Sequence, residues 1–334
     1  MPLLTRGSRR CFALINGSQR SVALVNTSLL AFALVALAAL LPVPGRTQSR
    51  SPFVHHRVLH VAAALGRPAQ RVLVSWPRRA GAAEVPTDAR WPVLVALHGA
   101  HEATLAVDRA CVAWSVDYRL DAAIGALMRG RVSRADYGGL VSDARLSAVN
   151  AQLRARPFRG LFVVTPYTPN LLASGSGSDA MRGYGDWLAG PVLAAVRAEF
   201  PAARERSGVG IDGVSLGGRL ALEVGLSHPE TFGVVGALQP AIDPPAIEAL
   251  VRAAQARPAA HSQPLRVVTS DGDGGLAAAR AFSSALREAR VPHDLLVASG
   301  RHGYEFNRGP GALEMTLFHD AALAAETAPR TPRR

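Results

Sequence analysis

The run Val209-Gly-Ile-Asp-Gly-Val-Ser-Leu-Gly-Gly-Arg-Leu-Ala221 drives a short apolar segment into a serine framed by glycines, Gly213-x-Ser215-x-Gly217. A serine hydroxyl becomes a nucleophile when a neighbouring base takes its proton and a sharp strand-to-helix turn holds it exposed. Such a turn leaves little room two residues away on either side, which the glycines at 213 and 217 provide. It also aims the next backbone N–H, that of Leu216, at the place where a tetrahedral oxyanion forms. A glycine-rich turn that happens to carry a serine is the bland reading of the same five residues. The rest of the chain has to choose between them.

A base and an acid are needed, and downstream of Ser215 the candidates are few. His302, in Ser299-Gly-Arg-His-Gly303, directly follows an apolar run, and the glycines let its loop fold an imidazole back over the serine. The other downstream histidines have structural explanations. His228 ends a helix in Ser-His-Pro-Glu, His261 lies in an Ala/Pro linker, His293 precedes the last strand at its wrong end, and His319 sits in the terminal helix. The acid must fix the tautomer of the base, and Thr269-Ser-Asp-Gly-Asp-Gly-Gly275 offers two carboxylates after a strand. Asp273, deeper in the loop, is the preferred acid. Asp271 is the alternative, its ordinary role being to shape the turn through side-chain-to-backbone bonds, and Asp243 ranks third. A second oxyanion donor is expected after an earlier strand. Val93–Leu97 runs into His98-Gly99-Ala100-His101, where Gly99 lets the backbone turn tightly and present N–H groups. No Cys, Asp or further His stands at ligand spacing beyond His101, so no metal is expected, and His98 is expected to support the loop by hydrogen bonding.

The elements that must position these residues alternate. Val58–Ala63, Arg71–Trp76, Val93–Leu97, Gly160–Thr165, Val209–Val214, Phe232–Leu238, Leu265–Thr269 and Asp294–Ala298 read as strands. Helix-like stretches fill much of 104–155 and recur at Trp187–Phe200, Gly217–Leu226, Leu276–Ala289 and Ala312–Ala325, with a Ser/Gly-rich loop at 174–178. Continuous apolar runs such as Val93–Leu97 suit strands buried on both faces. Strand–helix alternation implies an α/β fold with a mostly parallel central sheet and helices on both faces. Sites in such sheets lie at the carboxyl ends of the strands, where Ser215, the Asp271/Asp273 loop and His302 all fall.

Length and charge bound the rest. The 334 residues allow one large core and carry a formal charge of +12, but the charge is terminal. Residues 1–50 hold six arginines and no acid, and 325–334 hold three arginines and Glu326, which leaves 28 basic against 24 acidic residues between them. All basic residues apart from histidine are arginine, without a basic stripe interleaved with aromatics, so a nucleic-acid partner is not expected. Arg6, Arg9, Arg10 and Arg20 precede the apolar stretch 21–43, the order of a secretory signal or of an uncleaved membrane anchor. The expected organisation is therefore a signal peptide or anchor over 1–50, a catalytic domain over 51–325 and a basic flexible tail over 326–334, with the domain exported and either released or held at the membrane. Of the two cysteines, Cys11 lies in the leader; Cys111, among Ala110, Val112, Ala113 and Trp114, reads as a small buried hydrophobe without a disulfide partner.

Leu97-His98-Gly99, Gly213-Val-Ser215-Leu-Gly217-Gly218, Ser227-His-Pro-Glu-Thr-Phe232, Asp273 and Gly300-Arg-His302 together resemble the signature of α/β-hydrolase-fold serine esterases. The resemblance is to the group of esterase D-like, feruloyl-esterase-like and antigen 85-like proteins, and it spans about residues 90–305. It implies a triad of Ser215, His302 and Asp273 and oxyanion donors at the Leu216 and Ala100 N–H groups. It also implies hydrolysis of a small or polymer-linked carboxylic ester through an acyl-enzyme, without cofactor. Two departures stand out: the stretch 101–157 is long and does not align with the pattern by eye, and Asp271 competes at the acid position. Acyl transfer to an envelope acceptor, peptide hydrolysis on the same residues, and a catalytically silent envelope binding protein are the alternatives.

Overall fold

The apolar runs fold as strands because each supplies side chains to two cores at once. The computed structural model describes residues 51–79, 89–173, 177–324 and 326–327. In chain order the strands are β1 (Val54–Val61), β2 (Gln70–Pro77), β3 (Ala89–Arg90), β4 (Val93–Leu97), β5 (Phe162–Thr165), β6 (Val209–Gly213), β7 (Val234–Leu238), β8 (Leu265–Gly272), β9 (Asp294–Arg301) and β10 (Glu326–Thr327). Successive side chains of a strand point to opposite faces. Accordingly Val93, Val95 and Leu97 join the core on one face of the sheet, with Phe162, Val164, Val209 and Ile211. Leu94 and Ala96 join the other, with Val163, Val268 and Leu313. All five residues of β4 are fully buried, and each such Val or Leu contributes roughly 1.5–3 kcal/mol.

Among the described residues eight strands form one sheet in the order β1-β2-β5-β4-β6-β7-β8-β9. β1 pairs with β2, and β2 with β5, antiparallel. Every pairing from β5 to β9 is parallel, with Val95 opposite Ile211 and Val268 opposite Leu296. Parallel pairing directs the ends of β4, β6, β8 and β9 to one edge of the sheet, and the loops leaving that edge hold His98, Ser215, Asp273 and His302. The helices that return the chain include Leu120–Met128, Asp143–Ala155, Leu216–Ser227, Leu276–Glu288 and Ala312–Ala322.

The structure departs from the sequence reading in three places. A helix over Pro244–Gln255 follows β7, with two prolines opening its first turn, the position where a missing N–H costs nothing. The helix expected from Trp187 starts at Gly177 and passes through a π-helical turn, Leu188–Val192, that accommodates Pro191 before continuing as Leu193–Glu199. The expected free tail begins with a pairing: Glu326 and Thr327 lie antiparallel to Arg90 and Ala89. The expected leader or anchor at 1–50 and the remainder of the tail lie outside the described residues, as do 174–176 of the Ser/Gly-rich loop.

Two strand glycines make room for a buried polar pair. A Cβ at Gly210 would lie 2.5 Å from His319 Nδ1, and one at Gly236 would lie 1.9 Å from Asp212 Oδ2. In that space His319 Nε2 meets Asp212 Oδ2 at 3.0 Å, both residues almost wholly buried.

Candidate active site

Ser215 stands between β6 and the helix Leu216–Ser227 with φ 57° and ψ −114°, a backbone conformation that costs a non-glycine residue about 1–3 kcal/mol. The surroundings enforce it. The Ser215 N–H donates to Leu238 O at 2.9 Å, Val214 N–H to Leu97 O at 3.1 Å and Gly217 N–H to Val214 O at 2.8 Å. The framing glycines are required by close approach: a Cβ at Gly213 would meet Gly217 O at 2.4 Å, and one at Gly217 would meet Leu97 O at 2.5 Å. The local sequence thus closes a turn that tips the hydroxyl out of the sheet edge.

The loops after β8 and β9 bring two more of the expected residues to that hydroxyl. His302 Nε2 lies 3.0 Å from Ser215 Oγ, and His302 Nδ1 lies 3.1 Å from Asp273 Oδ1. The imidazole is partly open to solvent, whereas the Asp273 side chain is 3% exposed. Asp273 also accepts hydrogen bonds from Thr269 Oγ1 at 2.8 Å and from the Gly275 N–H at 2.9 Å. Burial alone would raise its carboxyl, but the hydrogen bonds from His302, Gly275 and Thr269 outweigh burial and hold it below the usual carboxylate range. An ionised carboxylate fixes Nδ1 as the protonated nitrogen and leaves Nε2 to accept the serine proton.

Asp271, the alternative acid, is used elsewhere. The β8–β9 register shifts between Ser270 and Gly272, and Asp271 Oδ1 accepts the Gly300 N–H at 2.9 Å beside that irregularity. Asp243 pairs with Arg219 at 2.7 Å. Three of the four other downstream histidines are engaged away from Ser215: His228 with Asp186, His293 with Ser283 and His319 with Asp212. Cys111 is buried, which pushes its thiol up to about 11, and no sulfur partner stands near it among the described residues.

On the oxyanion side, the Leu216 N–H opens its helix and takes no backbone partner among the described residues. Opposite it, His98 anchors the loop after β4. Its Nε2 accepts the Thr168 N–H at 2.8 Å, its Nδ1 donates to Gly99 O at 3.0 Å, and its own N–H donates to Thr168 Oγ1 at 3.1 Å. Burial holds this imidazole below its ordinary pKa, consistent with a neutral ring that accepts at Nε2. Gly99 N–H donates to Tyr118 Oη at 3.0 Å, and Ala100, the next residue, lines the hollow of about 260 Å³ that also contains Ser215 and His302.

That hollow contains residues the sequence reading missed: Glu102, Tyr118 and Tyr304. Tyr118 belongs to the 101–157 stretch, which therefore contributes to the wall beside Ser215. The available signal was a carboxylate four residues beyond His98 and a tyrosine two residues beyond His302. No spacing rule connects them, because they meet only through tertiary structure.

Residues 170–297 match the family model described as "Putative esterase". No curated protein sequence matches the chain. A ferulic acid esterase of 16% identity superposes with a TM-score of 0.56, over 81% of this chain and 98% of its own. The S954A mutant of the feruloyl esterase module from Clostridium thermocellum, solved with sinapinate, shares 12% identity at TM-score 0.55, over 79% and 88% of the two chains. FphF, a fluorophosphonate-binding serine hydrolase from Staphylococcus aureus, shares 13% identity at TM-score 0.51, over 80% and 98%. At such identities the structural likeness is one of fold, and the sequence match adds a similarity to that family over residues 170–297. By its fold the chain is similar to α/β-hydrolases, and over residues 170–297 its sequence is similar to the esterase family.

Proposed function

We propose that the chain is an exported esterase that cleaves its substrate through a Ser215–His302–Asp273 triad and an acyl-enzyme intermediate. One observation carries the proposal: the continuous relay from Ser215 Oγ through His302 to Asp273, with contacts of 3.0 and 3.1 Å, built on a strained turn at the mouth of a cleft. Ser215 Oγ attacks the ester carbonyl as His302 Nε2 takes its proton. The Leu216 and Ala100 N–H groups receive the oxyanion, and Asp273 stabilises the imidazolium. His302 then returns the proton to the leaving alcohol. Water, deprotonated by the same nitrogen, attacks the acyl-serine and releases the acid. Export rests on the arginine-rich, then apolar, order of residues 1–43.

Ferulic acid and sinapinate occur with proteins of the same fold, so hydroxycinnamoyl esters belong in a substrate panel beside short p-nitrophenyl esters. Ser215→Ala lowers kcat by at least about four orders of magnitude while the circular dichroism spectrum stays native. Retained hydrolysis in that variant overturns the assignment. Export is checked on cells expressing the full chain: the protein is expected outside the cytoplasm, and a purely cytoplasmic fraction overturns that part.

A further inference from the structure

The cleft beside Ser215 holds a carboxylate that the hydrolytic scheme leaves without a role. Glu102 opens a short 3-10 turn, Glu102–Thr104, and is 1% exposed. A carboxylate in that position is tolerated only if its oxygens are hydrogen-bonded. Two phenols satisfy them: Tyr118 Oη donates to Glu102 Oε2, and Tyr304 Oη donates to Oε1 at 2.6 Å. The tyrosines come from different parts of the chain, Tyr118 from the 101–157 stretch and Tyr304 from the loop that carries His302. Their rings lie 5.9 Å apart, and Tyr118 is wholly buried.

A phenol has one proton to give. With that proton committed to Glu102, the Tyr118 oxygen faces the Gly99 N–H as an acceptor, at 3.0 Å. Gly99, the residue before Ala100, is then held at its N–H by Tyr118 and at its carbonyl by His98. The second arm of the same carboxylate ties down Tyr304, two residues from His302. We infer that Glu102 is a positioning residue that sets the oxyanion loop through Tyr118 and the histidine loop through Tyr304. The inference rests on the serine-hydrolase reading. Its physical content is directional. Both Glu102 oxygens must accept, so an isosteric amide, which accepts on one side and donates on the other, reverses one arm without changing the shape of the site.

Glu102→Gln is therefore expected to lower kcat about 10-fold to 100-fold, the scale of a small misplacement at a reacting centre. KM on a p-nitrophenyl ester stays within about threefold, because ground-state binding does not use the oxyanion donors. The rate of fluorophosphonate labelling at Ser215 falls in parallel with kcat, and the Tm stays near that of the wild type. Tyr118→Phe, which removes the acceptor of the Gly99 N–H, shows a loss of the same kind. The double variant loses little more than the worse single one, since both act through one chain of bonds. Unchanged kcat in Glu102→Gln, a loss that tracks a fall in Tm, or fully multiplicative losses in the double variant overturn the inference. A wild-type protein that neither hydrolyses esters nor takes the fluorophosphonate label overturns the reading beneath it instead.

Discussion

Asp271 and Asp273 are two residues apart in a glycine-rich loop, and local sequence separates them poorly. The structure gives them different work. Asp273 lies against His302 and collects hydrogen bonds from Thr269 and Gly275, while Asp271 caps the Gly300 N–H across the irregular end of the β8–β9 ladder. This difference is measurable. Asp273→Asn is expected to lower kcat about 10³- to 10⁴-fold by offering the imidazole a partner of the wrong polarity. Asp271→Asn, whose amide oxygen still accepts the Gly300 N–H, keeps kcat within about threefold, as perturbations confined to a turn do. Steady-state kinetics on one ester substrate checks both, and the reverse ranking would move the acid to Asp271.

At the scale of elements, the 101–157 stretch is fastened to the sheet and to the last helix by a buried ionic cluster. Glu314, in the helix Ala312–Ala322, accepts from Arg145 and Tyr137 of that stretch and from Arg266 of β8. Burial alone would raise the Glu314 carboxyl, but the arginines and Tyr137 hold it below the usual carboxylate range. Burying such charges is expensive, and removing one partner leaves another unpaired. Glu314→Gln is expected to destabilise the fold by about 3 kcal/mol, read from the midpoint of denaturant unfolding. Replacing Arg266 by Met in the same protein recovers part of the loss, because the uncompensated cation is gone. No recovery would mean that packing, not charge, sets the cost. The cluster also anchors Tyr137, whose backbone leaves no space for a Cβ at Gly309, so the stretch reaches the site from a fixed base.

For the domain as a whole, the buried polar groups make stability depend on pH. Burial is the main reason His319 is held below its ordinary pKa, against the opposing pull of Asp212. The unfolded chain binds a proton near pH 6.5 that the folded chain resists. The contribution is therefore fully present above that pH and declines as the pH falls through and below it. Asp273 and Glu314, both depressed on folding, act in a lower window: their contribution is present above about pH 4 and is lost as the pH falls further. Thermal midpoints measured from pH 8 to pH 5 are expected to fall below about 6.5 in the wild type, with a shallower decline in His319→Gln. An identical slope in the two proteins would assign the loss to other groups.

Much of the fold was legible because its signals are local. Five apolar residues in a row at Val93–Leu97 demand a strand covered on both faces, and strand–helix alternation demands parallel pairing, so the edge where sites form followed from pattern alone. The serine turn was readable from its five-residue glycine frame, in which Gly213 answers a clash with Gly217 O inside the turn, whereas Gly217 answers one with Leu97 O from the neighbouring strand. The helix at Pro244–Gln255 was missed although Pro244 and Pro245 marked its start, and the length of the one at Gly177 was hidden by the glycines and serines around it. The sequence preferred Asp273 for its depth in the loop but kept Asp271 open, and the tertiary structure sets Asp273 against His302 and Asp271 against the Gly300 N–H. The Glu102–Tyr118–Tyr304 cluster was beyond reach: its members lie up to 202 residues apart and meet only when β4 and β9 end at the same edge of one sheet. Short-range sterics and periodicity are written along the chain; the partners of a buried carboxylate depend on loops closing across the molecule.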